Sequence, residues 1–355
     1  MVLESIVGEK NIRRHPIFVF FLTILICFGS LIFADMLFPA HASVLSIAFI
    51  TIALAPLIFN VLSDEEAEEA VCNKSSYTFF ARHFNVIMLY VWIFVGVIVA
   101  FMLVYAAYPF FSSSMEAISA PFSFVFGFDS YKSCTSLNNC DSSKERLFEE
   151  QIKAFCVISG SGSCTQGVPI SIAGRATSFG FDACMGKNSD VASCTLFIFE
   201  NNAGVLLFTI VLSLLYGVGA IFIIAWNASI IGLFFGETFL AGNISKMLGM
   251  FQGMLLGHGP PELLGYVFGA LAGAILSAMV ARGKVFTHEG SIIIRDVLFL
   301  SGLAFFSVAY AAVTEAVGIL GFGELYFLMG FVYLLIIITA VFLYGNTRAS
   351  PRLSF

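Results

Sequence analysis

Charged residues are scarce in this chain: they make up 11% of its 355 residues, whereas 59% are hydrophobic. A soluble domain carries about 25% charged residues, so the composition excludes an ordinary soluble protein and indicates a lipid bilayer as the surroundings. The net charge is −6, and lysine and arginine form no basic stripe. The sequence therefore predicts no nucleic-acid partner.

Recognisable catalytic patterns are also missing. Gly160-Ser161-Gly162-Ser163 has no base at a useful spacing, and Gly217-x-Gly219 lies inside an apolar run rather than after a strand. An intramembrane hydrolase is disfavoured because neither a nucleophile motif nor an aspartate pair stands out. We therefore expect a protein that is not an enzyme and needs no cofactor.

Cys-x-x-Cys pairs are absent too, yet six of the eight cysteines lie close together in one polar stretch. That stretch is rich in serine, glycine and asparagine and contains no histidine, which argues against a metal site. An even, clustered set predicts a small disulfide-rich extracytoplasmic domain at residues 112–195, with the pairing left open. Its cysteines are Cys134, Cys140, Cys156, Cys164, Cys184 and Cys194. Cys27 and Cys72 are expected to be free thiols.

Long apolar runs fill the rest of the chain and predict an all-α polytopic membrane protein with about seven or eight transmembrane helices. Residues 1–111 form a three-helix membrane region, with spans at Ile17–Phe38, Val44–Leu62 and Phe84–Tyr108 and an acidic cytoplasmic loop at 63–83. Residues 196–355 form a second membrane region, with spans expected at 201–225, 257–281, 297–320 and 325–344.

The stretch 228–257 is apolar but interrupted by polar residues and glycines, including Glu237, Gly242 and Lys246. This pattern predicts a broken segment, made of two half-length helices that together cross the membrane once. Lys10, Arg13 and Arg14 precede the first span, and Arg348 and Arg352 follow the last. The positive-inside tendency then places both termini in the cytoplasm of a multi-pass cell-membrane protein, with residues 110–195 outside.

Small residues recur along the apolar run that ends at Ala281. Gly265, Gly269 and Gly273 lie four residues apart, as do Ala270 and Ala274. Such stripes let membrane helices approach closely. They indicate a helix packed by neighbours, in a homo-oligomer or in a complex with other membrane proteins.

Four polar residues are expected to meet at the outer ends of the spans: Asn202, His258, Glu262 and Glu315. Asn202 and Glu262 begin spans that run inward, and Glu315 lies about 30 Å along a helix that starts inside. Two carboxylates and an imidazole could share a proton or bind a cation, which makes His258, Glu262 and Glu315 a candidate metal site. The alternative is a hydrogen-bonded network that only fixes helix packing, and such networks are the commoner use of these groups.

The second half of the chain, roughly residues 196–343, resembles the stage II sporulation protein M family. The resemblance depends on four landmarks in order: Asn201-Asn202, the Asn227…Gly232 step, His258-Gly259-x-x-Glu262 and Glu315. Pro260-Pro261 stands where the family usually has an apolar residue, and Asn227-Ala228 stands where Asn-Gly is typical. Sporulation members of the family look like membrane anchors that assemble peptidoglycan-remodelling enzymes. For this chain the resemblance implies an anchoring role in the membrane, and the cysteine-rich outer region argues against a role in sporulation.

The expected function is therefore a non-enzymatic membrane scaffold that anchors protein partners or copies of itself. The alternative is an ion or small-solute transporter or channel, which would use the broken segment 228–257 and the group His258, Glu262 and Glu315. Broken helices commonly line transport sites.

Overall fold

The structure, a computed structural model, describes residues 17–71, 79–126, 147–159, 184, 189–283 and 285–349. Within these ranges the regular structure is helical and contains no strand. Eight of the described helices are long and apolar enough to cross a bilayer, which confirms the predicted all-α membrane architecture. The helices are α1 (Ile17–Leu37), α2 (Ala42–Val71), α3 (Phe79–Phe126), α4 (Glu149–Ser159), α5 (Val191–Tyr216), α6 (Ala220–Leu240), α7 (Ile244–Leu256), α8 (Gly259–Ala281), α9 (His288–Ile319) and α10 (Gly323–Ala349).

Two helices run past the ends predicted for their apolar segments. A 3₁₀ turn at Pro39–His41 joins α1 to α2, and α2 then continues to Val71 through the acidic stretch predicted as a loop from residue 63. Similarly, α3 runs to Phe126, beyond the predicted start of the extracytoplasmic domain at 112. Hydropathy marks where the bilayer ends, whereas glutamate and alanine are good helix formers that extend a helix into water.

The prediction for residues 201–257 was wrong in its boundaries. Gly217 adopts φ +67°, which ends α5 at Tyr216, and α6 then starts at Ala220. Only glycine adopts this left-handed conformation readily, so the apolar run is divided there. As a result α6 is a continuous 21-residue candidate span. The stretch 228–257 is therefore the second half of α6 followed by the separate 13-residue helix α7.

Asp190 caps the start of α5. One of its carboxylate oxygens accepts hydrogen bonds from the backbone amides of Ala192 (2.9 Å) and Ser193 (3.0 Å). These amides have no partner within the helix, and the aspartate supplies one. The hydrogen bonds from Ser193 hold the pKa of the Asp190 carboxyl below its ordinary value.

The contacts of a few glycines give the directions of the helices. A Cβ on Gly269 would meet Leu206 and one on Gly273 would meet Ser213, so α8 runs parallel to α5. In the same way Gly232 faces Ile98 and Gly236 faces Tyr105, so α6 runs parallel to α3. The starts of α5, α8 and α10 therefore share one end of the bundle with the ends of α3, α6 and α9. We call it the Asp190 end.

Part of the predicted cysteine-rich domain packs directly on this end of the bundle. Phe148 is buried, and its ring centroid lies 6.0 Å from that of Phe101 and 5.5 Å from that of Tyr105. The Gln151 side-chain amide donates to the carbonyl of Ser43 at 3.2 Å. Residues 147–159 are thus held against the membrane helices by burial of apolar side chains. The sequence did not predict this contact, because the region contains few aliphatic residues.

One disulfide lies in the described part of the chain, between Cys184 and Cys194. Both cysteines are buried in a small apolar cluster with Ile198, Ala312 and Ala316, which links the start of α5 to the end of α9. Cys27 is a buried free thiol, as predicted. The side chains of Cys72, Cys134, Cys140, Cys156 and Cys164 lie outside the described residues. A disulfide-rich domain therefore stays a prediction.

Candidate functional site

Three side chains with metal-ligating atoms meet at the Asp190 end. His258 precedes α8, Glu262 lies in its first turn, and Glu315 lies in the last turns of α9. One ligand atom from each lies within 4.8 Å of the others, and all three side chains are partly exposed. We call these three residues the His–Glu cluster.

The start of α8 sets the spacing of its two members of the cluster. Pro260 and Pro261 occupy the first helical positions, where the missing amide costs nothing and the fixed φ favours the helix. The Glu262 amide donates to the His258 carbonyl at 3.1 Å, which closes the first turn. Side chains four residues apart share a helix face, so the imidazole and the carboxylate lie side by side.

The small-residue stripes bring the other helices close. A Cβ on Gly265 would lie 2.7 Å from a methyl group of Val308, so α9 packs tightly on α8 and brings Glu315 beside Glu262. Gly269 and Gly273 face α5 instead. Ala270 and Ala274 are buried as well. The predicted packing residues are thus used within the chain, and they are covered by its own helices.

Two tyrosines bind members of the cluster. The Tyr266 hydroxyl donates to Oε1 of Glu262 at 2.9 Å, and the Tyr326 hydroxyl lies 2.8 Å from Nδ1 of His258. Tyr326 comes from α10, so the site joins three of the long helices. Among the described residues, the Glu315 carboxylate has no hydrogen-bond donor.

Tyr326 sits in a slot that three glycines form. A Cβ would lie 2.7 Å from its hydroxyl oxygen at Gly253 and 2.8 Å from its Cδ2 at Gly318, and a Cβ at Gly257 would overlap its Cζ. Real Cβ atoms do not come this close, so no larger residue fits at these positions while the ring stays in place. The slot holds the ring and therefore the hydrogen bond to His258.

Sequence reasoning missed Tyr326. A tyrosine near the start of a span is expected in the aromatic belt at the membrane surface, where it needs no partner. The pair Gly253 and Gly257, one helical turn apart and directly before His258, indicates a close approach at this place but does not identify the residue that makes it.

Asn202 is buried, but its side chain is not bonded to the His–Glu cluster. Among the described residues its Oδ1 accepts a hydrogen bond from the Asn201 side-chain amide at 3.0 Å. The parallel packing of α5 on α8 puts Asn202 one turn nearer the Asp190 end than Leu206, which faces Gly269. It therefore lies near the level of the cluster without contacting it by a hydrogen bond.

The two carboxyl groups of the cluster, those of Glu262 and Glu315, have no lysine or arginine partner among the described residues. Two carboxylates this close, with apolar helices around them, favour a positive charge or a shared proton between them. The arrangement can therefore bind a cation or share a proton, in addition to joining α8, α9 and α10.

Comparison with curated proteins and with solved structures finds no match to this chain. Residues 152–318 match the family model of stage II sporulation protein M. This range starts in α4 and ends in α9, so it begins earlier and ends sooner than the range 196–343 predicted from the motifs. It contains the whole His–Glu cluster and leaves out α10 with Tyr326. The resemblance to the stage II sporulation protein M family is therefore confirmed over residues 152–318.

Proposed function

We propose that this chain is a non-enzymatic membrane scaffold and that it binds a second copy of itself through the outer face of α10. The observation that supports this proposal is the one-sided packing of α10. Only 17% of its candidate span, Gly323–Ala340, is buried inside the molecule, the lowest share among the eight candidate spans.

The inner face of α10 is fixed to the bundle by tyrosine contacts. The Tyr310 hydroxyl donates to the carbonyl of Met329 at 2.8 Å, and the Tyr333 hydroxyl donates to the Ser307 hydroxyl at 2.6 Å. Together with Tyr326, these contacts recur along about two helical turns. Hydrogen bonds between membrane helices fix their orientation, so α10 presents a defined outer face.

That outer face carries large apolar side chains at the spacing of a helix–helix seam. Leu328, Phe331, Leu335 and Ile338 are 56%, 60%, 49% and 66% exposed and follow one another at steps of three, four and three residues. This is the a/d spacing with which two helices pack side by side. A two-fold dimer would pair the stripe with its own copy, because such an interface uses the same surface on both subunits.

The other surface expected to bind partners is already covered. Gly269 and Gly273 face α5 of the same chain, and Gly265 faces α9. A scaffold built on the small-residue stripes would have to open the bundle first. The α10 stripe is available without any rearrangement.

Photo-crosslinking in native membranes tests the α10 contact. A photoreactive phenylalanine analogue at Phe331 should give a crosslinked dimer of this chain. The same analogue at Leu25 on α1, which is 70% exposed and equally apolar, should give none. No dimer from position 331, or equal yields at both positions, would show that α10 faces lipid only.

A second candidate function is cation or small-solute transport, and the position of α7 favours it. This 13-residue helix covers only about 20 Å, too short to cross a bilayer, and it ends directly before His258. Short helices that end at a polar site are common in transporters. Reconstituted vesicles should then show a cation flux that Glu315→Gln abolishes. If the vesicles show no flux and the crosslinked dimer forms, only the scaffold function is supported.

A further inference from the structure

We propose that the His–Glu cluster binds one divalent first-row transition-metal ion, with His258, Glu262 and Glu315 as its protein ligands. The proposal concerns a ligand of the chain and goes beyond either function above. It holds for a scaffold stabilised by the ion as well as for a transporter that carries it.

The geometry needs little adjustment to hold an ion. The three ligand atoms lie within 4.8 Å of one another. Nitrogen and oxygen ligands at about 2.0–2.2 Å from one ion lie about 3–4 Å from each other. Side-chain rotations that move the ligand atoms by about 1 Å therefore complete the site. The ligands come from the start of α8 and the end of α9, and Gly265 holds these helices in close contact.

The charge balance points to a dication. As ligands of an ion, the ionised Glu262 and Glu315 supply two negative charges, and no described lysine or arginine pairs with either. A neutral imidazole and two carboxylates around a dication give a site of zero net charge. Neutralisation matters here because an unpaired charge among apolar helices is costly.

The contacts of the two tyrosines fit the outer shell of a metal site. Ligating histidines keep the proton on the nitrogen that faces away from the metal and donate it to an oxygen. For His258 that nitrogen is Nδ1, which lies 2.8 Å from the Tyr326 hydroxyl oxygen, so Nε2 is left for the ion. Tyr266 occupies Oε1 of Glu262 and leaves the second oxygen available. Tyr326 is thus a positioning residue, held in turn by Gly253, Gly257 and Gly318.

The donor set also indicates the class of ion. Imidazole with carboxylates suits zinc, manganese and iron, whereas calcium and magnesium prefer sites made of oxygen alone. Three protein ligands leave at least one coordination position for water or for another ligand. We therefore expect zinc or manganese to bind in preference to calcium or magnesium.

Metal titration of the full chain tests the proposal. The protein, in lipid nanodiscs and stripped with a chelator, is titrated with zinc or manganese chloride by calorimetry, and bound metal is counted by mass spectrometry. One tight site per chain is expected, with millimolar magnesium unable to displace the ion. Glu262→Gln and Glu315→Gln should each weaken that site at least about 100-fold, since the effect of a lost ligand exceeds that of an outer-shell change.

A matched control separates this site from other acidic residues. Glu237, like Glu262, accepts a hydrogen bond from a tyrosine, Tyr105, but lies on α6. Glu237→Gln should leave the tight site unchanged. The control shows whether loss of a tyrosine-bonded carboxylate elsewhere in the membrane helices also weakens the site.

The positioning role of Tyr326 has its own comparison. Tyr326→Phe keeps the ring in its slot and removes only the hydroxyl, so metal affinity should fall about 10- to 100-fold. Tyr333→Phe removes a bonded hydroxyl from the same helix, away from the cluster, and should leave affinity unchanged.

Three results would overturn the proposal: no stoichiometric site in the unaltered chain, binding that survives Glu262→Gln and Glu315→Gln, or equal losses in Tyr326→Phe and Tyr333→Phe. If the glutamine variants fail to fold, cobalt binding to the unaltered chain decides instead. Visible absorption of a cobalt site with nitrogen and oxygen ligands supports the proposal, and its absence overturns it.

Discussion

Tyrosine hydroxyls inside this bundle differ in whether they find a partner. Tyr333 is fully buried and donates to Ser307, whereas the hydroxyl of the equally buried Tyr90 on α3 has no hydrogen-bond partner among the described residues. A buried polar group without a partner costs about 1–3 kcal/mol, while a satisfied hydrogen bond contributes about 1 kcal/mol net. The two residues therefore predict opposite effects for the same substitution.

Tyr90→Phe should leave the free energy of unfolding unchanged or raise it by about 1 kcal/mol, because only an unsatisfied hydroxyl is lost. Tyr333→Phe should lower it by about 1–2 kcal/mol, because the Ser307 hydroxyl loses its donor. Thermal unfolding of both variants in the same detergent measures the difference. Equal destabilisation by the two would mean that the Tyr90 hydroxyl is bonded after all.

Among single residues, the sequence predicted the positions of those that lie a known number of residues from the end of a span. His258 and Glu262 stand at the beginning of a clearly apolar run, and Glu315 lies a fixed number of residues after Arg295, so their meeting at one end could be predicted. The contact of Tyr326 could not be predicted, because it depends on the orientation of α10 about its own axis relative to α7 and α8. That orientation depends on glycine contacts between segments far apart in the chain.

The helix α8 is held on two sides by its glycines. Gly265 admits α9, and Gly269 and Gly273 admit α5. Because the alanines between them are buried as well, most of the helix circumference is used inside the molecule. Close backbone approach of this kind replaces the hydrophobic drive that membrane helices lack.

Adding a methyl group on this helix should disrupt the packing. In Gly273→Ala the new Cβ would lie 2.5 Å from the Ile210 carbonyl oxygen and 2.6 Å from the Ser213 Cβ. The carbonyl oxygen is a backbone atom and the Cβ is bonded directly to the backbone, so neither can rotate away. Overpacking of this kind costs about 1–3 kcal/mol. The thermal midpoint of unfolding in detergent should fall accordingly.

Gly302→Ala on α9 is the matched control, because nothing lies within 4 Å of its Cβ position. Alanine favours a helix by up to about 1 kcal/mol over glycine, so this variant should be as stable as the parent or more stable. A Gly273→Ala variant as stable as Gly302→Ala would show that α5 and α8 are not in close contact at Gly273.

Element boundaries were predictable where hydropathy changes and wrong where it does not. Apolar residues continue across the α5–α6 junction from Leu212 to Phe222, and only Gly217 and Gly219 mark the reversal. Two glycines in a span are equally compatible with close packing, so composition could not distinguish the alternatives. The helical extensions of α2 and α3 were missed for the opposite reason, since polar residues there indicated a loop.

The molecule as a whole joins two regions that the sequence separates. α6 lies within the range that matches the family model and packs along α3, which lies before that range. The two helices approach closely at Gly232 and Gly236 of α6. α10 lies beyond the match but supplies Tyr326 to the His–Glu cluster. The three cluster residues therefore all lie in the matched region, whereas the tyrosine that contacts His258 comes from a helix outside it.

The helix directions also predict which segments share a side of the membrane. The turn at Gly242 lies at the Asp190 end, with the Cys184–Cys194 disulfide, whereas the turn at Gly283 lies at the opposite end. Basic residues flank the opposite end, including Arg282 and Arg295, so we expect that end in the cytoplasm. Because α10 starts at the Asp190 end and runs to the opposite end, we expect the C-terminus on the cytoplasmic side as well.

Reporter insertion tests this arrangement. Alkaline phosphatase, which is active only outside the cytoplasm, should be active when inserted at Gly242 and inactive at Gly283. A fluorescent protein that folds only in the cytoplasm should give the reverse result, and should also fluoresce when fused to the C-terminus. Exchange of the two patterns would contradict the orientation inferred from charge. The same pattern at both positions would contradict the crossing by α8, because Gly242 and Gly283 flank that helix together with the non-spanning α7.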